Sequence, residues 1–119
     1  MPNNGNANCL FCRIASGEIP AKKIYEDADA IAFHDINPQA PTHVLVIPRR
    51  HIASLNDMTE ADIAAIGTTV MRATQIARDL RLEVDGYRVV VNNGEGAGQT
   101  VFHIHFHLLG GRTFGWPPG

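Results

Sequence analysis

At 119 residues the chain suits one domain with one modest core, and 45% hydrophobic against 18% charged residues is ordinary for a globular protein. A net charge of −2 excludes the basic field that non-specific binding to nucleic acid or to anionic membranes requires. No apolar run reaches the ~18 residues of a membrane span, and the polar start Met1-Pro2-Asn3-Asn4-Gly5-Asn6-Ala7-Asn8 lacks both the basic and the apolar part of a secretory signal.

Residues 1–8 are therefore expected to be a disordered tail, 9–119 a single domain, and the location cytoplasmic. There Cys9 and Cys12 are thiols or metal ligands rather than a structural disulfide. Phe11 to Gly17 predicts one or two helical turns, closed by Gly17 and Pro20. Lys22–Glu26 and Ala30–His34 predict short strands around the turn residues Asp27 and Asp29. Asn37-Pro38-Gln39-Ala40-Pro41 is a loop. His43 to Ile47 predicts a buried strand ending at Pro48. Thr59 to about Leu80 predicts the one long helix, with Ile63, Ile66, Val70, Ala73, Ala77 and Leu80 on its apolar stripe. Thr59 is its N-cap, Asp62 the capping-box acid, and Met58 staples onto Ile63. Beyond the Asp85-Gly86 turn, Tyr87–Asn92 and Val101–Leu109 predict two strands. This order of short helix, three strands, long helix and two strands predicts an α+β fold, its strands antiparallel with the helix on one face.

Chemistry concentrates in His103-Ile104-His105-Phe106-His107. Alternation with apolar residues predicts three imidazoles leaving one face of a strand. Imidazole titrates near neutral pH and serves as nucleophile, proton carrier or metal ligand. The segment is open to three readings: a solvated polar face, a three-histidine metal site, or a histidine nucleophile for phosphoryl or nucleotidyl transfer. No Asp or Glu follows the triad and the nearest in sequence is Glu95. Metal-bound histidines usually have an oxygen partner, so the nucleophile is favoured. The loop Asn93 to Gln99 carries Gly94, Gly96 and Gly98, whose freedom lets amide N–H groups converge on an anion. It runs directly into Gln99, Thr100 and the histidines, so a phosphate held there would lie within reach of His105 and His107. His43 opens the central strand and could orient the nucleophile. Asp35 could receive ribose hydroxyls while Phe33 and Ile36 sandwich a base. His34 should face solvent. Cys9-Leu10-Phe11-Cys12 is a C-x-x-C with no strand before it, against a redox role. As a zinc half-site it would draw two more ligands from His34, His51 or the outer members of the triad.

His103-Ile104-His105-Phe106-His107-Leu108-Leu109 resembles the signature of the histidine triad superfamily. Gly17-Glu18-Ile19-Pro20, the stretch Ala32 to His43, Val46-Ile47-Pro48, Gly110-Gly111-Arg112 and the ending Trp116-Pro117-Pro118-Gly119 are similar to its Hint branch. The likeness spans Cys9 to Gly119. It implies a homodimer whose two five-stranded sheets continue across the interface. It implies hydrolysis of purine nucleoside phosphoramidates, AMP joined to an amine or a lysine side chain, through a nucleotidyl-histidine intermediate. His105 would attack phosphorus. His107 and backbone amides near Gly98, Gln99 and Thr100 would hold phosphate oxygens, and His43 would help hold the tautomer of His105. Asp35 would bind ribose, Phe33 and Ile36 the base, and Asn92 would lie near the phosphate. Many members carry Ser at Thr100; Thr keeps the hydroxyl with fewer rotamers. Members that begin with C-x-F-C hold zinc with two Cys and two His, which here match Cys9, Cys12, His51 and His103. That would be a closed structural site, with no metal needed for catalysis. The rival readings are a dinucleoside polyphosphate hydrolase and a nucleotide-binding regulatory module with little turnover.

Overall fold

A computed structural model describes residues 7–119; most of the expected tail lies outside the described residues, and Ala7 and Asn8 form a turn into Cys9. The elements are α1 (Leu10–Ala15), β1 (Lys23–Glu26), β2 (Ala30–His34), β3 (Thr42–Pro48), α2 (Ile63–Asp79), β4 (Tyr87–Val90) and β5 (Phe106–Gly110). All strand pairs are antiparallel and the order is β1-β2-β3-β5-β4. This is the expected α+β fold, a five-stranded sheet with one long and one short helix.

Central β3 is covered on both faces, as its run of β-branched and aliphatic residues requires. On one face Leu45 and Ile47 pack with Ile31, Phe33 and the α1 residues Phe11 and Ile14. On the other, Val44 and Val46 pack with Leu108, Ala73, Ile76 and Ala77. The sheet thus separates a long-helix side from a side that carries the short helix and both cysteines.

The long helix departs from expectation in its start and its face. Glu60–Asp62 is a 3-10 turn, and the α-helix proper begins at Ile63. The capping box is present, with Thr59 N–H donating to the Asp62 carboxylate at 2.9 Å. The buried stripe is Thr69, Ala73, Ile76 and Ala77, while Ile63 is 63% exposed and Val70 and Leu80 face outward. Of the expected stripe, Ala73 and Ala77 are buried, while Thr69 and Ile76 are buried in place of Ile63, Val70 and Leu80. The sheet selects this face because Ala73 and Ala77 let the helix axis come close to β3. The Thr69 hydroxyl on that face is satisfied by the Ala65 carbonyl at 2.7 Å.

The histidine segment also departs. Its strand starts at Phe106 rather than Val101, and only His107 of the triad lies in it. The β3–β5 register ends at Val46 opposite Phe106. Continuing it would set Pro48, which has no N–H, opposite Ile104. Ile104 instead donates to Ile52 O at 2.7 Å. Likewise β4 ends at Val90 rather than Asn92.

Asp27 ties the sheet to α2. Its carboxylate accepts from Tyr25 Oη (2.6 Å), Arg72 Nε (2.7 Å), Asp29 N (2.8 Å) and Ala30 N (2.9 Å). The Tyr25 hydroxyl, with these other donors, holds its pKa well below the usual carboxylate range. A carboxyl depressed in the folded state stabilises above its ordinary titration range and loses that contribution on acidification. Asp27→Asn is expected to cost about 2 kcal/mol at pH 7, judged from charge-assisted hydrogen bonds. Because the introduced amide does not titrate, the gap between variant and wild type should narrow in urea melts at acid pH. A gap independent of pH would contradict the charge-based account.

Candidate nucleotide site and zinc centre

Two clusters meet at the histidine segment. In the first, Cys9, Cys12, His51 and His103 bring one donor atom each within 4.8 Å of one another. Cys9 Sγ lies 3.4 Å and Cys12 Sγ 3.5 Å from His103 Nδ1; His51 Nδ1 lies 3.3 Å from both Cys12 Sγ and His103 Nδ1. A tetrahedron with Zn–S of about 2.3 Å and Zn–N of about 2.05 Å has S–N edges near 3.5 Å and N–N edges near 3.3 Å. The donor set therefore matches zinc in type and in span.

Local structure explains the fit. Cys9 is the N-cap of α1, and its sulfur accepts the Cys12 N–H at 3.3 Å, so one helical turn aims both sulfurs the same way. His103, with no exposed surface, donates Nε2–H to Pro48 O at 2.7 Å, which leaves the Nδ1 lone pair for the metal. Sequence reasoning looked for a carboxylate partner and found none. The partner is a backbone carbonyl, invisible in a list of acidic residues.

The second cluster is His43, His105 and His107 with Asp35. Proton positions follow from what each partner can do. The His103 carbonyl only accepts, so His105 Nδ1 donates to it at 2.8 Å and His105 Nε2 keeps a lone pair. Gln39 N–H donates to His43 Nδ1 at 3.0 Å, so His43 Nε2 carries hydrogen and donates to His107 Nδ1 at 2.9 Å. His107 then carries its proton on Nε2. Asp35 Oδ2 sits 3.4 Å from His43 Nε2. Asp35, His43 and His107 also group closely enough for a cation, but the Gln39 bond keeps His43 Nε2 protonated, which suits a relay and not a metal. The rings of His105 and His107 lie 5.1 Å apart. Phe11 sets its edge against His105 at 5.0 Å and against His103 at 6.0 Å, so α1 braces the triad.

Burial lowers the pKa values of His43 and His105, and it lowers that of His107 to about 4 with help from neighbouring His105 and His43. These rings are neutral at pH 7, as a nucleophile and its hydrogen-bonding partners require. His107 also has a sign for stability. Below the ordinary 6.5 the unfolded chain takes up a proton that folded His107 refuses, so folding weakens as pH falls from about 6.5 toward 4 and is unaffected above.

Other expected residues are placed as follows. Gly98 and Thr100 flank the loop end, and Asn92 packs beneath it, with Nδ2 4.0 Å from where a Cβ on Gly98 would stand. Thr100 is exposed, and its N–H has no partner among the described residues. The N–H groups of Gly98 and Gln99 are used inside the loop, on Glu95 O and Gly94 O. Asp35 also accepts from Asn37 N–H at 2.8 Å. Phe33 is a core residue with its ring against Phe11 at 5.5 Å, whereas Ile36 is fully exposed. Of the two residues expected to meet a base, Phe33 is therefore packed into the core beside Phe11 and Ile36 offers the open apolar surface. His34 faces solvent as expected. His43 holds His107, not His105. Gln39, Pro48 and Phe11 were missed; the Pro that stops β3 and the Phe inside C-x-F-C were their only traces.

A five-stranded antiparallel sheet with a long helix behind it and alternating histidines at its centre defines a histidine triad protein. The HIT domain model matches residues 16–114, and the chain belongs to that family. It is 47% identical over 112 residues to a 14 kDa zinc-binding protein of Zea mays, covering 92% of this chain and 87% of that one. The crystal structure of a HIT family hydrolase from Legionella pneumophila superposes with a TM-score of 0.92 at 53% identity, covering 94% of this chain and all of that one. A histidine triad nucleotide-binding protein from Candida albicans gives 0.79 at 35% identity, over 94% and 85%. A Zn-bound histidine triad family protein from Mycobacterium smegmatis gives 0.75 at 37%, over 97% and 82%. With the donor geometry above, these relatives fit Cys9, Cys12, His51 and His103 to a structural zinc.

Proposed function

We propose that the protein hydrolyses purine nucleoside phosphoramidates to AMP and a free amine. The observation that carries this is the tautomer of His105: its Nδ1–H is fixed on the His103 carbonyl, which leaves Nε2 as a lone pair. In this reading Nε2 attacks the α-phosphorus, the P–N bond breaks, and the amine departs with a proton. Water then attacks the nucleotidyl-histidine, the P–Nε2 bond breaks, and AMP leaves. His107 Nε2–H and Thr100 N–H hold phosphate oxygens. His43 keeps His107 in its tautomer, Asp35 receives the ribose hydroxyls, and the Thr100 hydroxyl assists the leaving amine. Gly98, Gln99 and Asn92 shape the loop, and the base lies against Ile36. Zinc on the α1 side is structural. The Legionella neighbour's description as a hydrolase and the Candida neighbour's as nucleotide-binding support the class.

The test is chelated protein with an adenosine phosphoramidate carrying a fluorescent amine, beside a diadenosine polyphosphate. Fast amine release supports the reading. Cleavage of the polyphosphate alone would replace it with the rival hydrolase, and no cleavage of either would leave a nucleotide-binding module. The pH profile is a second check. Because burial lowers His105 below the ordinary 6.5 and holds His107 down to about 4, kcat/KM should stay level through the ordinary imidazole range and fall only at more acid pH, as His105 Nε2 and His107 Nδ1 protonate. Protonation at Nδ1 there would set two N–H groups against each other across the His43–His107 bond. A fall centred on the ordinary 6.5 would contradict it.

The same reading includes a homodimer in a reducing, cytoplasmic setting. Its support is that β4 is an edge strand and that α2 turns Ile63, Val70 and Met71 outward. Met71→Glu is expected to halve the mass seen in light scattering; a monomeric wild type would remove the dimer.

A further inference from the structure

Gln99 is a polar side chain only 2% exposed, beside the site rather than in it. All its polar atoms are engaged. Oε1 accepts Gly94 N–H at 2.8 Å, and Nε2 donates to Ala53 O at 2.8 Å and Val101 O at 3.1 Å. The partners determine which end of the amide is which, since an N–H only donates and a carbonyl only accepts. The backbone N–H of Gln99 returns to Gly94 O at 3.1 Å, so the two residues exchange a pair of bonds that closes the loop. Gly94 itself holds φ +88, a conformation that favours glycine. One amide therefore joins three segments: the glycine loop, the stretch after His51, and the stretch leading into His103 and His105.

We propose that Gln99 is a positioning residue that sets the glycine loop, and with it Thr100 N–H, at a defined distance from His105 without touching the nucleotide. This rests on the phosphate-binding reading above and replaces the expectation that Gln99 binds nucleotide directly. The residue type follows from the partners. A Glu would turn a carboxylate oxygen toward two buried carbonyls, and an Asn is one methylene too short to span all three. Because the amide acts on the phosphate end alone, its loss should separate the two halves of the ligand. In that reading the ribose and base fall to Asp35 and Ile36, on the segment between β2 and β3 rather than on the glycine loop.

The experiment compares wild type with Gln99→Met by calorimetry with adenosine and with AMP, by kcat and KM, and by amide hydrogen exchange at Gly94. Gln99→Met should hold adenosine within about twofold of wild type, weaken AMP about tenfold and lower kcat by about ten- to a hundredfold, since small misplacements near a reacting centre cost this much. Protection of the Gly94 amide should be lost. Equal weakening of adenosine and AMP would make Gln99 a general structural residue and overturn the proposal. So would unchanged AMP affinity and kcat. If Gln99→Met does not fold, Gln99→Asn should give the same pattern in smaller measure, and a pattern that spares AMP would count against the proposal equally. A wild type that binds neither AMP nor adenosine would remove the phosphate site and the proposal together, while the Gly94 exchange would still report separately on the clamp.

Discussion

His105→Ala is expected to abolish turnover while leaving nucleotide affinity within a few-fold of wild type. His105 alone in the cluster offers an unprotonated ring nitrogen with no partner among the described residues: Nε2 keeps its lone pair when Nδ1 donates to His103 O. In His107 the lone pair at Nδ1 is taken by His43, and in His43 the lone pair at Nδ1 is taken by Gln39. Losing a covalent nucleophile should cost at least about a thousandfold in kcat, roughly 4 kcal/mol of transition-state stabilisation. Binding should persist because Asp35, Thr100 and His107 are untouched. The direct measurement is mass spectrometry after rapid acid-free quench: wild type should trap a nucleotidyl adduct on the peptide containing His105, and the variant none. An adduct on His107, or a variant retaining a tenth of wild-type rate, would move the nucleophile elsewhere. His107→Ala should differ in kind, slowing turnover by weakening the grip on phosphate oxygens and raising KM together with the loss in kcat.

Cys12→Ala should release the zinc and lower the melting temperature by about 10 °C or more. Four buried or half-buried donors converge within 4.8 Å, and the sulfurs sit at the start of a helix of only six residues. Such a helix is not stable alone. Beyond the packing of Phe11 and Ile14, the cysteine and histidine donors are what tie it to the distant segments that carry His51 and His103. Loss of about 3 kcal/mol, a fraction of what structural zinc contributes in small zinc domains, corresponds to roughly 10 °C for a chain of this size. The α2 side of the sheet has its own core, so the variant should remain folded at 25 °C. Metal content by plasma mass spectrometry and melting by calorimetry check this, one zinc per wild-type chain being expected. Full melting stability with no bound metal would reduce the cluster to ordinary packing. Phe11, which lies between the two cysteines and braces His105, predicts a few-fold lower kcat on metal removal, with turnover retained because no metal stands at the reaction centre.

The sequence by itself determined the element order and the antiparallel α+β class, and it singled out the histidines that the fold brings together. Those follow from local pattern: β-branched runs, a capping box, punctuating prolines, and histidines spaced by apolar residues. The zinc set also came through, but by resemblance; composition alone left His34, His51 and the outer triad histidines open. Tertiary structure decided what depends on contacts between distant residues. The exact face α2 buries was set by the close approach of Ala73 and Ala77, both on the expected stripe, which brings in Thr69 and Ile76 and turns Ile63, Val70 and Leu80 outward. The strand through the triad shrank to its last histidine because Pro48, far back in the chain, has no N–H to continue the ladder. Phe33 became core because Phe11 reached it from α1. The histidine tautomers were settled by the carbonyls of Pro48 and His103 and the amide of Gln39. Side-chain identity is written locally, but a proton's position and a backbone group's partner are set by whatever the fold brings within 3 Å, and no local pattern encodes that.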